Sequence, residues 1–328
     1  MGLPERIFSA EPGSFRTQFN RLPFSFSHNL GNHPLFELPR LIELCRLLDR
    51  TPGRTSFQSA DCRVSQGWRV PLPQQVSSAA EAIERIHESG SWVLLKGVQE
   101  DPEYGEVLRR FLAELQDLTG RDLRREITWS DAYVFVASPR ALTPYHIDHE
   151  SNFLLQIHGE KELNLFDPSD RTILTDEEIE RYYIGEMSAA VYREEVQPKA
   201  YVFRLQPGVG AHHPARAPHW VRNGDDYSVS LSIPFCLREN DLEARVYQVN
   251  HHLRKLRLSP TPPGQSALRD KAKILLLGNF GHKPKTKAEV IRFGYKKYIA
   301  PIILARRLMN RVRGRSVASA HNLSPGPS

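Results

Sequence analysis

Between Thr143 and Lys161 the chain reads TPYHIDHESNFLLQIHGEK, three histidines and three acidic residues set among residues typical of a sheet interior. His146 and Asp148 stand two positions apart. On a strand, residues i and i+2 share a face, so HID predicts an imidazole and a carboxylate turned into one space. A third ligand has to come from a distant strand. His219 in PHWVRN, 71 residues beyond Asp148 and just before YSVSLSIPF, is the best candidate. Two neutral nitrogens and one carboxylate on one face leave three positions of an octahedral ion open, a donor set suited to non-haem Fe(II) that must bind a cosubstrate and oxygen side by side. HxD alone occurs often by chance, so the weight rests on its surroundings.

Lys161 follows Asp148 by 13 residues, past a short turn at His158 and Gly159. At the start of KELNLF it could project a fixed positive charge into the same space, where a chelating dicarboxylate needs a cation for its other end. The alternative anchor, an arginine about ten residues past the distal histidine, is absent because that position is Val229. His149, Glu150 and His158 are expected at the rim or outer face, His149 having strand parity opposite to the ligands. His212 and His213 form a second possible donor pair, expected in a loop at the barrel mouth, with His219 favoured over either.

The elements that must position these groups are short. ITWSDAYVFVAS, SNFLLQIHG, KELNLFDP, AYVFRLQPG and YSVSLSIPF are rich in β-branched and aromatic residues and separated by Gly, Pro or Asp turns, which predicts a sandwich or jelly roll. SWVLLKGV (91–98) reads as a buried strand. Helical periodicity is expected in LFELPRLIELCRLLDR, in VSSAAEAIERIHESG behind a serine cap, and in EYGEVLRRFLAELQDLTG, which closes on glycine. The expected fold is mostly β with flanking α, a double-stranded β-helix core with helices on both sides. Its expected parts are an N-terminal helical and loop extension (1–90), a barrel (91–240) and a basic helical region with a tail (241–328).

The 328 residues are 40% hydrophobic and 25% charged, an ordinary globular composition. No apolar run is long enough for a membrane-spanning helix, and MGLPERIFSAEPGSF lacks an apolar signal core. Three cysteines without paired spacing fit a reducing compartment, so a cytoplasmic location is expected. The net charge of +6 is uneven: residues 251–328 hold 17 Lys and Arg against two acids, or +15, leaving −9 for the rest. RFGYKKYIAPIILARRLMNRVRGR could lie on an anionic membrane surface, dock on an acidic partner, join a homodimer or pack on the acidic body of the same chain. No aromatic-basic motif supports nucleic-acid binding.

Taken together, Thr143, His146, Asp148, Asn152, Phe153, Gln156, Ile157, Gly159 and Lys161, with Pro207-Gly208 twelve positions before His219, form a pattern over residues 90–236. It resembles the JmjC-like, cupin-fold hydroxylases, and among them the asparaginyl hydroxylase that inhibits hypoxia-inducible factor. The resemblance implies that His146, Asp148 and His219 ligate Fe(II), that Lys161 and Thr143 hold the distal carboxylate of 2-oxoglutarate, and that Asn152 approaches its chelating end. Ser232 falls where that hydroxylase has an asparagine, and Tyr133 with Phe135 would line the pocket. The implied reaction consumes O2 and 2-oxoglutarate and hydroxylates a C–H bond of a peptide, protein side chain or small intermediate. The competing reading is a non-catalytic cupin that binds a ligand and regulates. No ligand and no anchoring lysine is lost from the pattern, which favours the enzyme.

Overall fold

The computed structural model describes residues 2–9, 11–66 and 76–276. Twelve strands are present among them: β1 (Phe24–Ser27), β2 (Thr55–Ser59), β3 (Ser91–Lys96), β4 (Ile127–Ser130), β5 (Tyr133–Ala137), β6 (Leu142–His146), β7 (Ser151–His158), β8 (Lys161–Leu165), β9 (Tyr201–Leu205), β10 (Val209–His213), β11 (His219–Asn223) and β12 (Ser228–Leu237). The helices are α1 (Gly13–Gln18), α2 (Leu38–Leu48), α3 (Ala79–Glu84), α4 (Pro102–Thr119), α5 (Leu123–Glu126), α6 (Asp176–Tyr183), α7 (Arg238–Lys255) and α8 (Ala267–Leu276). All strand pairings are antiparallel. One sheet runs β1-β10-β7-β12-β5-β3-β2 with β4 also on β12, and the other runs β6-β11-β8-β9. Two such sheets facing each other make the expected jelly-roll core.

Local chemistry explains the helices. Asp101 caps α4 by accepting from the Glu103 N–H, Pro102 supplies a preset φ, and Gly120 closes it in the left-handed region at φ 68°. Tyr104, Val107, Phe111, Leu115 and Leu118 form its buried stripe. Ser78 caps α3 in the same way.

Strand parity then sorts the side chains. On β7, Phe153 turns outward into a cluster with Phe8, Phe15, Phe26 and Phe111 beneath the N-terminal segment. Its neighbours Asn152 and Leu154 turn inward. Leu154, Leu163, Leu165, Leu205, Ala211 and Val221 meet between the sheets and fill the barrel. A third cluster, with Tyr145, Ile147, Phe166 and Tyr182, joins the small sheet to α6 and α7.

Several expectations change. The run from Ile127 to Ala137 is two strands, broken at Asp131 and Ala132, where the Ala132 N–H is bonded to the Gln99 side chain. VGAHH is no loop: β10 is laddered between β1 and β7, so its backbone is satisfied on both edges. SPTPPGQS (259–266), which reads in the sequence as a hinge or linker, is tied to the helices, because the Thr261 carbonyl accepts from Asn250 Nδ2 and from Lys273 Nζ. No helix among the described residues is long and apolar enough to cross a membrane. The segment from Arg292 to Arg315, with the membrane, acidic-partner and dimer expectations attached to it, lies outside the described residues.

The turn that delivers Lys161 has a specific build. Gln156 Nε2 donates to the carbonyls of His158 and Gly159, and Gln156 Oε1 accepts from Ser230. Gly159 has φ +70°, and a Cβ there would collide with the Tyr227 carbonyl. Gly159→Ala should therefore lower stability by about 2–4 kcal/mol, measured by thermal melting of the metal-free protein. An unchanged midpoint would mean that the turn is not constrained as described.

Candidate metal centre

β6 and β11 lie side by side, and His146 at the end of β6 pairs with His219 at the start of β11. Their ring centroids are 4.0 Å apart, and both side chains are buried. Each ring is held alike. His146 Nδ1–H donates to the Pro144 carbonyl at 2.7 Å, and His219 Nδ1–H donates to the Ala217 carbonyl at 3.0 Å. A carbonyl only accepts, so Nδ1 carries a proton in both rings and Nε2 is the nitrogen turned toward Asp148. Asp148 Oδ2 lies 3.5 Å from His146 Nε2 and 3.8 Å from His219 Nε2. Two imidazole nitrogens and a carboxylate oxygen turned to one point are a donor set that a divalent cation would satisfy. This donor set fits a metal ion, the three ligand atoms lying within 4.8 Å of one another.

The carboxylate does not arrive by the predicted route. β6 ends at His146, so Asp148 belongs to the connection to β7 and strand parity does not aim it. Its backbone is fixed instead, its carbonyl accepting from the Arg216 N–H at 2.7 Å. His149, expected at the rim, is buried. Its Nε2–H donates to Asp241 Oδ1 at 2.8 Å and its Nδ1 accepts from the Tyr183 hydroxyl at 3.0 Å. The network joins the Asp148 loop to α6 and α7. Glu150 is buried and lines the cavity, while His158 stacks on Tyr227 at 4.2 Å.

His146, Asp148 and His219 open on a cavity of about 710 Å³, also lined by Thr143, Asn152, Lys161, Tyr133 and Ser232. These eight residues and Phe135, the nine that the resemblance assigns to the site, all line this cavity. Lys161 is buried, with no carboxylate within ion-pair distance among the described residues and Phe135 beneath its Nζ at 5.9 Å. Burial alone pushes its pKa down to about 7. Ser232 Oγ donates to Asn152 Oδ1 at 2.9 Å, so the asparagine keeps its NH2 as donor.

Of the pair expected in a loop, His212 faces outward, stacked on Phe153 and Phe19. Its Nδ1–H donates to the Asn152 carbonyl and its Nε2 accepts from the Asn20 N–H. It is a satisfied core histidine, held neutral by burial with its pKa pushed down to about 3. His213 faces inward and lines the cavity. The sequence reading also missed Trp92, Lys96, Trp129 and Arg54, which line the outer cavity. Inward parity on β3 was the available signal for Trp92 and Lys96, while nothing in the local sequence marks Arg54.

The cupin-like domain family matches residues 74–233, a span holding all the site residues named above from Thr143 to His219 and on to Ser232. No curated protein matches the chain. Among solved structures, the Escherichia coli ribosomal oxygenase YcfD in complex with cobalt and 2-oxoglutarate is similar at 15% identity, covering 84% of this chain and 69% of that one, with a TM-score of 0.48. The same protein with cobalt and succinic acid matches at 15% identity over 85% of this chain and 69% of that one, with a TM-score of 0.47. The DMSP lyase DddQ from Ruegeria pomeroyi DSS-3 matches at 18% identity over 32% of this chain and 38% of that one, with a TM-score of 0.21.

Lys161 links the site to stability. Its folded pKa is about 7 against an ordinary lysine value of 10.5. Between those values the unfolded chain binds more protons than the folded one, so this group makes stability rise with pH. Lys161→Met should stabilise the ligand-free protein by on the order of 2 kcal/mol at pH 7. The advantage should be fully present below pH 7 and shrink as pH rises toward 10.5. Thermal melts across that range check it, and a pH-independent difference would contradict desolvation of the ammonium as its origin.

Proposed function

We propose that the chain is an Fe(II)- and 2-oxoglutarate-dependent oxygenase that hydroxylates a C–H bond of a peptide, a protein side chain or a small biosynthetic intermediate. One observation carries this reading: a His-Asp-His donor set shares one cavity with a buried lysine that has no carboxylate within ion-pair distance among the described residues. A metal alone would explain the triad and leave the lysine as pure cost. A ligand that is anionic at both ends explains both groups.

His146, Asp148 and His219 would hold Fe(II), which with 2-oxoglutarate and O2 supplies an oxidant able to take hydrogen from a C–H bond, with succinate and carbon dioxide as co-products. The chain's own work is binding and orientation. Lys161 and the Thr143 hydroxyl receive the distal carboxylate, whose arrival restores the ammonium form of Lys161. Asn152, oriented by Ser232, offers its amide to the chelating end. Tyr133 and Phe135 wall the cosubstrate, and Trp92, Trp129 and Met187 give the outer cavity an apolar side for the substrate's hydrocarbon portion. Pro52 and Gly53 are exposed and mark the mouth. The three cysteines are free, which suits a reducing compartment such as the cytoplasm.

Anaerobic titration should give one bound Fe(II) per chain, with 2-oxoglutarate binding dependent on that metal. Admission of O2 should yield succinate slowly without the true substrate. His146→Ala and Asp148→Ala should each weaken metal binding more than about a hundredfold, and Lys161→Met should abolish 2-oxoglutarate binding while sparing the metal. A wild-type protein that binds neither iron nor 2-oxoglutarate would return the chain to the non-catalytic cupins.

A further inference from the structure

The triad leaves a further imidazole in the same cavity without a role, that of His213. Val209, Ala211 and His213 form the inner face of β10, and Val209 and Ala211 belong to the apolar filling of the barrel. His213 ends that row as an imidazole, 5% exposed, where an aliphatic side chain would continue the packing. Its ring lies 4.8 Å from that of His219, turned by 70°. It lines the same cavity, yet its Nε2 is fully buried and has no hydrogen-bond partner among the described residues. The adjacent His212, just as buried, has both nitrogens bonded. Buried polar atoms are normally paired, and leaving one unpaired is destabilising, so the contrast within one dipeptide calls for a ligand. His213 is outside the group whose donor atoms converge within 4.8 Å, so it stands beyond direct coordination.

We propose that His213 is a positioning residue whose Nε2–H donates to the chelating carboxylate of a 2-oxo acid bound at the triad. The inference rests on the oxygenase reading and adds a contact to it. A carboxylate oxygen on the metal accepts only, and a neutral imidazole can donate through Nε2 while Nδ1 carries the lone pair. Lys161 faces the other end of such a ligand from β8, and Asn152 pairs with His213 across β7 and β10. The two residues would flank the same carboxylate.

The test is anaerobic titration of the full chain with Co(II), then of the Co(II)-loaded protein with 2-oxoglutarate, following the visible cobalt spectrum. Wild type is compared with His213→Leu and His213→Gln. The proposal expects Co(II) affinity within about threefold of wild type in both variants. It expects 2-oxoglutarate affinity to fall about tenfold in His213→Leu, the loss of one hydrogen bond to a charged group, with partial recovery in His213→Gln. The cobalt spectrum of the 2-oxoglutarate complex should shift in His213→Leu, while the metal-free melting midpoint should stay at or above that of wild type. Unchanged 2-oxoglutarate affinity and spectrum overturn the proposal and leave the oxygenase reading intact. A tenfold loss of Co(II) affinity also overturns it, making His213 a direct ligand. A lowered metal-free midpoint in both variants with unaltered 2-oxoglutarate binding assigns the residue to packing. A wild-type protein that takes Co(II) but no 2-oxo acid overturns the proposal and the oxygenase reading together.

Discussion

The register between β6 and β11 is the constraint on which the site depends. It sets His146 opposite His219, and in each case the carbonyl two residues upstream fixes the ring. A slip of one residue would turn both imidazoles to the other face. β11 also pairs with β8, and its last residue, Asn223, stands opposite Lys161. His219 and the residue facing Lys161 thus stand at opposite ends of one five-residue strand, about 13 Å apart along the backbone. The ladder that holds the small sheet together therefore also sets the spacing between the histidine pair and the lysine.

A polar cavity inside a barrel has to be supported against collapse. Leu154, Leu163, Leu165 and Leu205 close the barrel beyond the site, and the phenylalanine cluster backs the large sheet from outside through Phe153. Between these layers the electrostatic terms are strong because water is scarce. Lys161 illustrates the conflict. Burial works against its charge, and among the described residues no carboxylate lies within ion-pair distance to offset that cost. Stability of the ligand-free fold alone would favour an apolar residue at this position, so packing does not explain the lysine.

Much of this was legible in the sequence, for identifiable reasons. Gly159 and Gln156 fix the turn before Lys161, so the spacing from Thr143 to Lys161 is a fixed consequence of strand and turn geometry. The caps Ser78, Asp101 and Gly120 mark their helices directly. The strands that carry the site were the hardest to read. β6 contains Pro144, tolerated because β6 is the edge of the small sheet. β10 carries Gly210 and two histidines, and β11 carries Arg222. Composition argued against a strand in each, and only pairing with a neighbour makes them so. For the same reason His213 read as a loop residue, and its inward direction follows from a ladder that local sequence does not contain.

The position of Asp148 illustrates how strand periodicity can select a residue that the strand itself does not place. Two-residue periodicity selected it, yet it lies past the end of β6, where that periodicity has lapsed. Something else must hold the carboxylate, and the structure supplies it from elements remote in sequence. The Arg216 N–H grips its backbone, while His149, the next residue, is clamped between Tyr183 of α6 and Asp241 of α7. Thr128 of β4 donates to the other oxygen of Asp241. A ligand on a loop needs this kind of anchoring, since a free carboxylate would lose conformational entropy on binding a metal that a held one has already lost. The layer formed by α6 and α7 therefore belongs to the build of the candidate metal centre, because it anchors the loop that sets Asp148 beside the two strand histidines.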